Sequence, residues 1–129
     1  MENNKQKLLI EYLISSPDTY ALCSSIVKPT YFDPEYRNAV EFIHDYYNEY
    51  HQTPAIEQIK AESGVTFELR DVTSDQLDYT TNEVEQFCKI RAMEKAVLES
   101  VPLIDKKKFG EIEDLIRNAV TVSLNRNMG

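Results

Sequence analysis

The chain has 129 residues, the size of one domain, and its 42% apolar and 28% charged residues are ordinary globular usage, which excludes a disordered or coiled-coil composition. A net charge of −8 repels phosphate and argues against direct nucleic-acid binding, which needs clustered lysine and arginine. Three glycines (Gly64, Gly110 and Gly129) are too few for an architecture of hairpins and bulges, so an all-α domain is expected.

In chain order, apolar spacing and start signals predict five or six helices. The first covers about Lys5 to Ser15, with Leu8, Leu9, Tyr12 and Leu13 on one side. Ser16-Pro17-Asp18 restarts the chain, Ser16 as an N-cap and Pro17 at the first helical position, and opens a helix to about Val27. Asp33-Pro34-Glu35 repeats that chemistry and opens a helix to about His51. Tyr36, Ala39, Val40, Ile43, Tyr47 and Tyr50 line one face of it, and Glu35, Asn38, Glu41, Asp45 and Asn48 the other. Thr53-Pro54 begins a short helix carrying Ile56 and Ile59, which Gly64 ends in the left-handed conformation. Val65, Phe67 and Leu69 alternate through 64–73, the pattern of a short strand or, by preference, of a loop dropping apolar anchors onto the core.

A long helix is predicted from about Ser74 to Ser100, with a break near Thr80-Thr81 allowed and a stop at Pro102. Its apolar residues Val84, Phe87, Ile90, Met93, Ala96, Val97, Leu98 and Val101 cover two sides when projected at about 100° per residue, which implies two packing neighbours. A last helix, from about Phe109 to Leu124, carries Ile112, Leu115, Ile116, Ala119 and Val122. The short connection through Pro102 and Lys106-Lys107-Lys108 folds it back as an antiparallel hairpin, with the lysines as a solvated turn. The fold class is therefore a small helical globule of four to five helices over about 5–73, an antiparallel helical hairpin over about 74–124, and residues 125–129 as the start of a linker, within one domain spanning 1–129.

Catalytic chemistry is not legible. Gly110 precedes Glu111 and Gly64 precedes Val65, so neither can start a phosphate-cradling loop, and no cofactor is implied. His44 and His51 lie two turns apart on one helix, too far to share a metal. Cys23 and Cys88 lack metal-ligand spacing and read as reduced, buried core residues, and no secretory leader pattern or membrane-length apolar run is visible, so a cytoplasmic setting is expected. Tyr31, Tyr36, Tyr46, Tyr47 and Tyr50 either rim the core, the preferred reading, or mark an interface.

The segment from Thr30-Tyr31-Phe32-Asp33-Pro34-Glu35-Tyr36-Arg37 to Val40, continuing through His51-Gln52-Thr53-Pro54-Ala55-Ile56, resembles the amino-terminal domain of replicative DNA helicases of the DnaB type, the phage versions above all. Arg91-Ala92-Met93 resembles a step in that family's hairpin helix, and Glu113-Asp114-Leu115 onward resembles the lead into its linker; Tyr36 stands where the family has histidine. The resemblance runs from about Leu8 onward and rests on the order of short motifs. It implies a domain without an ATPase motor, itself no enzyme, that packs with neighbours into the collar of a hexamer and docks a primase or helicase loader, in a host-cell cytoplasm if phage-encoded. Self-association as a dimer or higher is then expected, without nucleic-acid or membrane contact by this domain. The alternative is a freestanding acidic regulator or DNA mimic acting on a replication protein. On the first reading the apolar seam of the hairpin is the candidate partner surface: Phe87, Ile90, Met93, Val97, Ile112, Leu115 and Ile116.

Overall fold

The computed structural model describes residues 2–123, with side chains from residue 5 onward, so the expected end of the last helix at Leu124 and the linker start at 125–129 lie outside the described residues. The all-α expectation holds. Six α-helices run as α1 (Glu2–Ser15), α2 (Pro17–Cys23), α3 (Pro34–Tyr50), α4 (Ile56–Ser63), α5 (Leu77–Asp105) and α6 (Phe109–Val120), with 3₁₀ turns at Pro29–Tyr31 and Ser74–Gln76 and no strand among the described residues.

The first helix is more central than one apolar side would make it. Leu9, Ile10, Leu13 and Ile14 are buried, and so are the polar Gln6 and Glu11, because α1 is covered by α2, α5 and the segment after α4. Each buried polar group has a reason to be there. Gln6 Oε1 accepts the Asp33 amide at 2.9 Å, although its Nε2 has no partner among the described residues. Glu11, 1% exposed, accepts the Glu68 amide at 2.8 Å and both Nε and Nη2 of Arg70, at 3.0 and 2.8 Å. The Arg70 amide in turn donates to Ser15 Oγ at 2.7 Å. A segment without secondary structure is thus latched along α1, and Phe67 drops from it into the core against Tyr36, ring centroids 6.4 Å apart. Of the three expected anchors, Phe67 is buried, Val65 half-buried and Leu69 exposed.

Helix starts follow local chemistry with two departures. Ser16 caps α2, its Oγ accepting the Thr19 amide at 3.2 Å, and Pro17 sits at the first turn as expected. α2 ends at Cys23 rather than Val27; the chain then turns so that Ile26 and Val27 reach the core. Asp33 precedes Pro34 in extended backbone, but its carboxylate makes no cap and instead lies 3.5 Å from Arg91. α4 begins two residues beyond Pro54, where Gln58 Oε1 accepts the Ala55 amide at 2.8 Å, and it ends at Gly64, φ 80°, as expected.

α5 overturns the expected stop. It is continuous through Thr80 and Thr81, whose hydroxyls donate to carbonyls of the preceding turn, and it runs through Pro102 to Asp105. Pro102 removes one amide donor, that toward the Leu98 carbonyl one turn back, and the following residues keep the helical path. Its first half belongs to the globule. Thr80 donates to the Leu77 carbonyl, so across its 3.1 Å contact with Thr19 it is the acceptor, tying α2 to α5. Phe87 stacks on the fully buried Phe32, centroids 4.9 Å apart. The second half of α5 pairs with α6 as the expected hairpin.

Cys23 and Cys88 are buried and not joined in a disulfide, as expected. Burial first, and then the neighbouring Cys23, pushes the Cys88 thiol up to about 12; burial, then Tyr47 and Asp45, pushes the Tyr20 phenol up to about 12. Both groups favour the protonated form when folded, so the stability they confer is complete below their ordinary ranges and lost as pH climbs through them. Thermal melts should be unaffected by these groups up to pH 9.0 and fall progressively from there towards 12. Neither thiol should react with an aromatic disulfide reagent until the chain is unfolded; labelling of the native protein would show the α2–α5 contact to be open.

Candidate interaction surface

Small residues set how the hairpin packs. Ala92, Ala96 and Ser100 are buried at i, i+4 and i+8 on α5, so α6 approaches closely and lays Ala119 and the half-buried Leu115 against them. Ser100 hides its hydroxyl by donating to the Ala96 carbonyl at 2.7 Å. The turn holds Lys107 in the left-handed region, φ 59°, and the Lys108 amide donates to the Leu103 carbonyl at 3.0 Å. Lys106, Lys107 and Lys108 are exposed, a solvated turn as expected.

The two long sides of the hairpin differ. On one, Lys95 and Glu99 of α5, Asn118 of α6 and Val122 just beyond it line a groove together with Lys28 and Tyr31 of the globule. About 100° per residue places Met93, Val97 and Ile104 of α5, with Phe109, Ile116 and Val120 of α6, on the opposite side. That side is apolar and open: Val97 is 50% exposed, Ile104 55%, Phe109 64% and Val120 62%. Ile90, Met93, Val97 and Leu98, with Glu94, line a shallow apolar hollow of about 530 Å³ along it.

The residues expected to form the seam therefore divide. Ile90 and Val97 are exposed; Met93, Ile112, Leu115 and Ile116 are half-buried between the hairpin and solvent. Phe87 is corrected to a core residue, because its ring is taken up by Phe32 and by Arg91, whose guanidinium lies 5.9 Å over it. Leu98, Val101, Ile104, Phe109 and Val120 join the surface without having been assigned to it. A usable signal was the seven-residue interval Ile90, Val97, Ile104, which the assumed stop at Pro102 cut short.

The tyrosines divide as well. Tyr20, Tyr31 and Tyr36 are buried, Tyr46 and Tyr47 are half-buried, and Tyr50 is exposed at the end of a Phe42–Tyr46–Tyr50 row with centroids 5.8 and 4.6 Å apart. His44 shares a 3.1 Å contact with Asn48, and His51 closes α3 in the left-handed region, φ 61°. No group of three metal-ligating side chains occurs among the described residues, and no helix among them is long and apolar enough to cross a membrane. Compared with protein-family models, curated proteins and solved structures, the chain matches none.

Proposed function

We propose that this chain is a protein-assembly domain, of the kind found at the amino terminus of DnaB-type replicative helicases, and that its hairpin packs against a second copy and against replication partners such as a primase or loader. The observation that carries the reading is the open apolar side of the hairpin. Ile90, Val97, Leu98, Val101, Ile104, Phe109 and Val120 are each half or more exposed, while the globule behind them has a buried core of its own. Their exposed area is on the order of 800 Å², about the share one partner contributes to a standard interface and more than the apolar patch of a typical monomer.

A closed two-fold pairing suits this surface, since a self-complementary patch uses the same residues on both copies. Running two α5 helices antiparallel about Val97 sets Ile90 against Ile104 of the other copy and Met93 against Val101, so these contacts are apolar on apolar. Light scattering at several concentrations tests the reading. The mass should rise above that of one 15.0 kDa chain with concentration, and a mass fixed at the single chain throughout overturns self-association. The acidic-regulator reading draws on the net charge of −8; it would gain if the chain stayed single and instead bound a basic partner.

A further inference from the structure

A second hollow, of about 490 Å³, lies where the globule meets the middle of α5, between Thr30 and Arg37 on one side and Arg91, Lys95 and Leu98 on the other. It is the meeting point of two arginines held by the same short stretch of main chain. Arg91 Nε donates to the Tyr31 carbonyl at 2.6 Å, and Arg37 Nε donates to the next carbonyl, Phe32, at 2.9 Å. Arg91 is further fixed by the face of Phe87 beneath it. Guanidinium groups pinned through Nε present their terminal nitrogens as a fork, the geometry that takes a carboxylate or phosphate two-pronged.

The terminal nitrogens of Arg37 have no hydrogen bond or ion pair among the described residues. Those of Arg91 have only long ones, 3.5 Å to Asp33 from behind and 3.6 Å to Glu94, whose side chain is 58% exposed. Lys95 is paired with Glu99 at 2.8 Å. Along the walls three cations face two carboxylates, and Asp33 at 3.5 Å from Arg91 is a third, so the surroundings are formally neutral and Arg37 is the cation whose terminal nitrogens are left over, inside a chain of net −8. That balance admits a single anionic group and rejects a polyanion such as a nucleic-acid backbone. Leu98, 71% exposed, forms the apolar lip of the same hollow.

We propose that this hollow is a docking notch for a peptide segment of a partner protein, in which one carboxylate side chain enters the Arg37–Arg91 fork and an adjacent apolar side chain covers Leu98. The notch shares Leu98 and Glu94 with the apolar side of the hairpin, but Arg37 and Thr30 belong to the globule, so the Arg37 resonance and the Arg37→Gln variant report on the notch apart from any pairing.

The probe is a capped peptide placing leucine beside glutamate, titrated into the full chain through the millimolar range while the Nε–Hε resonances of Arg37 and Arg91 are followed by NMR. Both should shift along one saturating curve. The same peptide with glutamine for glutamate should leave them unmoved. Arg37→Gln should weaken binding about tenfold, the scale of one charge-assisted hydrogen-bonded contact, and Arg37→Lys should restore only part of it. A thermal melt of each variant shows that it is folded. Resonances that do not move, a glutamine peptide that binds equally, or an unweakened Arg37→Gln would each overturn the proposal. Inorganic phosphate that displaces the peptide at equal concentration would overturn the peptide assignment in favour of a phosphate site.

Discussion

Replacing Val97 by aspartate should weaken self-association about tenfold to a hundredfold while leaving the fold intact. Burying a valine or isoleucine side chain at an interface contributes roughly 1.5–3 kcal/mol, and about 1.4 kcal/mol is a factor of ten in affinity. A charge at the centre of an antiparallel pairing adds its own desolvation cost on both copies. The single chain tolerates the change because Val97 is 50% exposed and its neighbours on that side, Ile90 and Val101, are 55% and 57% exposed. Ile90→Asp should act in the same direction. Asn118→Asp, on the opposite side of the hairpin, should not, and serves as the control for added negative charge. Light scattering reads association and circular dichroism reads the fold. Val97→Asp that is folded and assembles like the parent would remove the hairpin from the interface.

The second large effect concerns the latch on α1. Glu11→Ala should lower folding stability by about 3 kcal/mol, the low end of what breaking a buried ion pair costs, since the Arg70 side chain is 44% exposed and can turn to water. Most of the loss comes from elsewhere. The Glu68 amide and the Arg70 fork lose their shared acceptor together, and the segment that delivers Phe67 to the core is freed. Arg70→Ala should also destabilise, because it takes the counter-ion from the buried Glu11 carboxylate, but less than Glu11→Ala, because Glu11 keeps the Glu68 amide. Urea titrations of the two variants measure the difference. Equal losses would mean that Glu11 acts only through the arginine, and no loss would mean that the loop is not held by α1.

What could be read from the residues was whatever local chemistry decides. The cap at Ser16-Pro17, the left-handed stop at Gly64, the two-faced pattern of α3 and the return of α6 on α5 depend on neighbours within a turn or two, and the structure keeps all four. The departures came where a distant residue competes with the local rule. Asp33 fits an N-cap, yet Gln6 and Arg91 claim its amide and carboxylate. Glu11 looks like a break in an apolar run, and only the arrival of Arg70 from far along the chain makes it a buried anchor. Pro102 fits a stop, but one missing amide near the end of a long helix is outweighed by the packing of Ala92, Ala96 and Ser100 in the hairpin.

The candidate surface was half legible for the same reason. Apolar residues on two sides of α5 imply two neighbours; the globule covers Val84 and Phe87 and α6 covers Ala96, while the side from Ile90 to Ile104 stays open. Phe87 could not be separated from that side by spacing alone, because its neighbour Phe32 comes from a connection rather than from a helix.

One unbroken rod carries both duties, gripping the globule at Phe87 and Cys88 and holding out an apolar flank from Ile90 to Ile104. Such a part has no elbow. A load applied at the tip, by Phe109 or the lysine turn, has this one helix as its path to the Phe32 ring and the Thr19 hydroxyl, so tilting the projecting arm bears directly on the body.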